Sequence, residues 1–100
     1  MKSEYQINII GRIRKLREER RYSQEDMAIL LGISNGHIGN IESFKSNHKY
    51  TLNQILKICK EFRYPIEHIF LTDDDYNANI DIVSNVIEKI AKYEEQRENY

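Results

Sequence analysis

The chain has no tryptophan, one proline, one cysteine and four glycines in its 100 residues. A single cysteine excludes an intrachain disulfide and suits a reducing compartment, so a cytoplasmic protein is expected. One proline leaves helices almost uninterrupted. No apolar run approaches the roughly 20 residues of a membrane-spanning helix. Met1–Arg21 gains charge where an export signal would turn hydrophobic, so neither a membrane nor secretion is expected. His37, His48 and His68 lack metal-ligand spacing and Cys59 has no second thiol, which argues against zinc. There is no Ser/His/Asp or Cys/His arrangement, no glycine-rich phosphate loop, and no EF-hand loop around Asp73-Asp74-Asp75. No enzyme, metal or cofactor is therefore expected.

What the chain does have is charge of both signs, unevenly placed. Its formal net charge of −1 hides a split. Residues 1–63 carry 12 Lys+Arg against 7 Asp+Glu, a surplus of +5, and residues 64–100 carry 3 against 9, giving −6. A basic first part suits a polyanionic partner. Arg12, Arg14, Lys15, Arg20 and Arg21 read equally well as the solvated face of a helix.

Apolar spacing predicts six helices and an all-α fold. The first runs from about Tyr5 to Arg20, with Ile9, Ile13 and Leu16 inward. Ser23 caps the second, with Asp26 completing a capping box, and that helix ends at Leu31. Ser34 caps a third that ends near Ser43. Thr51 and Gln54 open a fourth, carrying Leu52, Ile55, Leu56, Cys59 and Phe62 inward. Pro65 suits the first position of a short fifth. The acidic triplet then breaks the pattern before a terminal helix.

Gln24 to Ile41 is the most constrained stretch. A small Ala28 lets the next helix pack close. Gly32 can take the positive φ of a short inter-helical turn. Met27, Leu31, Ile33, Ile38 and Ile41 supply an apolar wedge. This is helix-turn-helix patterning.

Four segments carry a wider resemblance: Arg12-Ile13-Arg14-Lys15-Leu16-Arg17, Ser23-Gln24-Glu25-Asp26-Met27-Ala28, Leu31-Gly32-Ile33-Ser34 and Ile38-Gly39-Asn40-Ile41-Glu42-Ser43. With Ile55 to Phe70, they make residues 7–71 resemble the phage-repressor and Cro-like helix-turn-helix family, also called the xenobiotic-response-element family. The resemblance implies a five-helix repressor-like domain over residues 1–72 that binds double-stranded DNA as a dimer and regulates transcription. It places Asn35, Gly36 and Asn40 at base-reading positions, with Gly39 on or near the same face; by its own chemistry His37 is a further base-reading candidate, suited to a guanine acceptor or to a phosphate. Gln24 would meet a phosphate and brace the reading helix. Ser34 at the helix start, and Lys45, Asn47, Lys49, Tyr50 and Thr51 after it, would hold phosphate. Arg17 and Glu42 match a buried structural ion pair. Asparagine can bond adenine N6 and N7 together, which suits Asn35 and Asn40, whereas Gly36 and Gly39 read no base through a side chain. Phe44 stands where the family usually ends the helix with glycine, so a different ending is expected, with Phe44 packed on the loop. His48 replaces a common proline.

Residues 73–100 read as an acidic linker and an amphipathic helix. One apolar line is Ile80, Val83, Ile87 and Ile90; a second is Ile82, Val86 and Tyr93. One line is expected to pack on the core and the other to meet a second chain, so all seven are candidate homodimer residues. The alternative is a helix-turn-helix scaffold that binds a protein partner, a toxin or a polymerase subunit, through this helix.

Overall fold

The computed structural model describes residues 1–78 and 81–95, which form helices and connecting turns without a strand. In chain order these are α1 (Glu4–Glu19), α2 (Gln24–Leu31), α3 (Asn35–Glu42), α4 (Leu52–Phe62), α5 (Glu67–Phe70), α6 (Asp73–Asn77) and α7 (Ile82–Glu94). The helix beyond the expected six is α6. The Thr72 hydroxyl accepts from the Asp75 amide and the Asp75 carboxylate accepts from the Thr72 amide. The acidic triplet is thus the first turn of a helix, where the dipole favours negative charge. α5 begins at Glu67, two residues after the expected Pro65.

Reciprocal capping boxes open α1 (Ser3, Gln6), α2 (Ser23, Asp26) and α4 (Thr51, Gln54). Inside α1, Ile9, Ile13 and Leu16 are buried as their spacing predicts. In α4 the inner face is Ile55, Ile58, Cys59 and Phe62, while Leu56, expected inward, stays exposed. Burial pushes the Cys59 thiol up to about 11, so it remains a protonated, inert core group.

Several long polar side chains clamp the negative ends of helices. Arg12 Nη1 donates to the Ile69 carbonyl (2.7 Å), and Arg20 Nη1 donates to that of Phe62. Gln6 Nε2 and Lys49 Nζ both donate to the Tyr93 carbonyl, at 2.7 and 3.0 Å. Part of the basic surplus of residues 1–63 is therefore used inside the fold.

α7 packs against α1, α5 and α6. Tyr93, one of the seven candidate dimer residues, is instead 0% exposed within its own core. Its ring meets Phe70 edge-on (centroids 5.9 Å apart), and its hydroxyl donates to the Tyr50 carbonyl at 2.8 Å. Ile82 and Val86, earlier along α7, are half-buried, and Ile90 packs on the core. Val83 and Ile87 point outward, 66% and 60% exposed. Ile80 lies outside the described residues.

Candidate nucleic-acid interface

The turn between α2 and α3 is built locally. Gly32 takes φ +68°, and the Ile33 amide reaches back to the Ala28 carbonyl at 3.1 Å. The Ser34 hydroxyl then accepts from the His37 amide at 3.0 Å, which starts α3. Ile38 and Ile41 are fully buried on the inner side of α3. On its outer side Asn35, Gly36 and Asn40 are exposed, with His37 and Gly39 half-buried. One helix thus sinks its hydrophobic side and presents a short amide-rich side outward. Neither glycine is demanded by packing. A Cβ at Gly36 would meet nothing within 4 Å, and one at Gly39 only Gln24 Oε1 at 3.7 Å.

α3 is held from below by a buried charge cluster. Arg17 Nε lies 2.8 Å from Glu42 Oε2 and Arg17 Nη2 lies 3.0 Å from Oε1, a bidentate pair whose side chains are 8% and 3% exposed. Arg17 Nη1 also donates to the Tyr22 carbonyl at 2.7 Å. Gln24 Nε2 donates to the same Glu42 Oε1 at 3.0 Å, so α1 and α2 grip one carboxylate of α3.

The far end of α3 is closed by a residue that sequence patterning missed. Ser43 ends the helix in an extended conformation, without a left-handed glycine behind it. The Lys2 ammonium donates to the carbonyls of Ile41 and Ser43, both at 2.7 Å. Burial lowers the Lys2 pKa from its ordinary value. A lysine 39 residues upstream does the capping that glycine would otherwise do locally. Lys2→Met is expected to destabilise the protein by about 1.5–3 kcal/mol. Hydrogen exchange should show the excess opening confined to the last turn of α3.

The loop after α3 differs from expectation at three residues. Phe44 does not pack on it and is 66% exposed. Tyr50, counted among phosphate contacts, is fully buried, and its hydroxyl has no hydrogen-bond partner among the described residues. Lys49, counted likewise, is turned onto α7, donating to the Tyr93 carbonyl with its ammonium 5.1 Å from the ring centroid. Lys45 and Asn47 remain exposed. Thr51 is exposed and Gln24 half-buried, each already bonded within the fold, as is Ser34. The His48 ring, absent from the expected set, lies beside that of His37.

Among the described residues no group of three or more His, Cys, Asp or Glu side chains could hold a metal ion, and no helix is long and apolar enough to cross a membrane. A family model described as helix-turn-helix matches residues 13–69, from the middle of α1 to within α5. No curated protein and no solved structure gives a significant match to the chain.

Proposed function

The chain belongs to the helix-turn-helix family, of the phage-repressor and Cro-like kind, and from that membership we propose a dimeric, sequence-specific transcriptional regulator with α3 in the major groove of duplex DNA. The observation that carries this reading is the division of α3. Ile38 and Ile41 are buried, while Asn35, Gly36 and Asn40 face solvent together. Asn35 and Asn40 read base edges, adenine above all. His37 lies at the edge of the same face, and Gly36 lets the backbone come close. Lys45, Asn47 and the backbone around Thr51 meet phosphates, with Gln24 and Ser34 at the other end.

A single short helix reads only a few base pairs, and a second copy doubles the contact. Val83 and Ile87 supply an outward apolar strip on an otherwise docked helix, the surface on which two chains would join.

Selection of duplexes from a random pool is expected to yield a two-fold symmetric motif, with half-sites about one helical turn apart. The log of affinity should fall with the log of salt, with a slope of roughly 0.9 per phosphate neutralised. Asn35→Ala and Asn40→Ala are each expected to weaken that site by about 5- to 150-fold and relax preference at one base pair. Both side chains are exposed, so thermal stability should barely change. Val83→Glu with Ile87→Glu should give a monomer in sedimentation. The same apolar strip also fits a protein partner. A pool without any enriched motif, together with binding that ignores Asn35 and Asn40, would favour that second reading.

A further inference from the structure

We infer that His37 and His48 act as one imidazole clamp on a DNA backbone phosphate, so that operator binding takes up protons. The inference rests on the DNA-binding reading above and extends it to a residue, His48, to which sequence patterning assigned no binding role. The two rings come from different elements, the first turn of α3 and the loop that follows the helix. Their centroids lie 5.1 Å apart at an interplanar angle of 59°. Each backbone is pinned by a serine: the His37 amide donates to Ser34 Oγ (3.0 Å) and the His48 amide to Ser46 Oγ (3.1 Å). His48 is exposed and His37 half-buried, so a ligand can reach both.

Among the described residues neither ring forms an ion pair with a carboxylate. On α3, Glu42 is held by Arg17 and Gln24. On α2, Asp26 is bound into the Ser23 cap and Glu25 is exposed. On α1, Arg14 lies 3.9 Å from Glu42, while Lys2 is spent on the end of α3. In the loop, Lys45 is exposed and Lys49 is turned to Tyr93, and on α4 Lys57 is exposed. The free cations here are positive, and so would be each protonated ring. A phosphate set against both rings supplies a negative charge that favours their protonated forms.

The sign follows from that exchange. Bound DNA favours the charged rings, so the added affinity is complete on the acid side of histidine's working range and is lost as pH rises.

The test uses the full chain and the duplex enriched by selection, titrated at constant ionic strength from about pH 5.5 to about pH 8. Affinity is expected to fall about tenfold for each histidine that meets phosphate, about a hundredfold for both. Calorimetry in buffers of different ionisation enthalpy should register net proton uptake. His37→Gln and His48→Gln should each remove about half of the pH slope, and the double variant should bind with little slope. His68→Gln, on α5, should keep the full slope. Thermal melts of each variant separate a lost clamp from a lost fold. Specific binding that is flat in pH, or a folded double variant with the parent's slope, overturns the clamp and leaves the DNA-binding reading standing. Failure to bind any duplex specifically at any pH sinks both.

Discussion

Arg17→Met is expected to lower the unfolding free energy by about 3–5 kcal/mol, read from urea denaturation. Folding a domain of this size leaves a net stability of only about 5–15 kcal/mol, so the variant should lose a large part of it. The loss does not equal the strength of the ion pair. Methionine fills much of the arginine volume but leaves Glu42 buried, 3% exposed. Its remaining hydrogen-bond donor is Gln24, and its remaining cation is the largely exposed Arg14 guanidinium, 3.9 Å away. A carboxylate stripped of its bidentate partner retains its desolvation cost with only that weaker, solvent-screened compensation. It also frees the Tyr22 carbonyl that Arg17 Nη1 had satisfied. Arg17→Met combined with Glu42→Leu should therefore recover a large part of the loss, because no buried charge is left unpaired. A single-variant loss below about 1 kcal/mol would place this pair with ordinary surface ion pairs instead. The double variant also has a functional readout. It restores the fold without restoring the grip on α3, so DNA affinity should recover less than stability does.

Tyr93→Ala is expected to cost about 3–5 kcal/mol, a value typical of emptying a buried aromatic site. The residue lies near the end of the last described helix, where a substitution would ordinarily be harmless. Here its ring fills space against Phe70, its hydroxyl holds the Tyr50 carbonyl, and its own carbonyl receives Gln6 and Lys49. Removing the ring creates a cavity and breaks the Tyr93 hydroxyl's bond to the loop that follows α3, leaving the Lys49 bond to the backbone carbonyl as a tie to α7. Tyr93→Phe isolates the second effect. It keeps the packing but leaves the Tyr50 carbonyl without that donor, for a cost of about 1–3 kcal/mol. Amide exchange in the 44–51 loop should accelerate in both variants, and DNA affinity should decline with it. A melting temperature unaffected by Tyr93→Ala would mean that α7 is an appendage to the domain rather than part of its core.

The residues that could be read from the chain alone share a short range. Ser23 with Asp26, Thr51 with Gln54 and Ser34 with the His37 amide are contacts three residues long, and each appears where the pattern put it. Gly32 is equally local, since its left-handed φ serves its own turn. Burial of Ile9, Ile13, Ile38 and Ile41 follows from helical spacing, because a strongly amphipathic segment has one side to hide. The same spacing was ambiguous in α7, where two adjacent apolar lines left open which one faced inward. Only packing against α1 and α5 placed Tyr93 inside and Val83 with Ile87 outside. In α4, Leu56, expected inward, is exposed and Ile58, not among the expected inner residues, is buried for a related reason, since a broad stripe does not define its own centre.

By itself, the sequence determined an all-helical chain, its capped helices, and a helix-turn-helix with Asn35, Gly36 and Asn40 on the outer side of its second helix. Capping bonds, turn glycines and apolar periodicity act within one or two helical turns, so they are written in consecutive residues. Tertiary structure alone decided that Lys2 closes α3, that Lys49 serves α7, that Tyr50 and Tyr93 belong to the core, and that His37 meets His48. The hydrogen bonds from Lys2, Lys49 and Tyr93 join residues 39 to 44 positions apart, and Gln6 reaches across 87 to Tyr93. A long flexible side chain carries no periodic mark of the carbonyl it will find. Its partner exists only once the helices have packed.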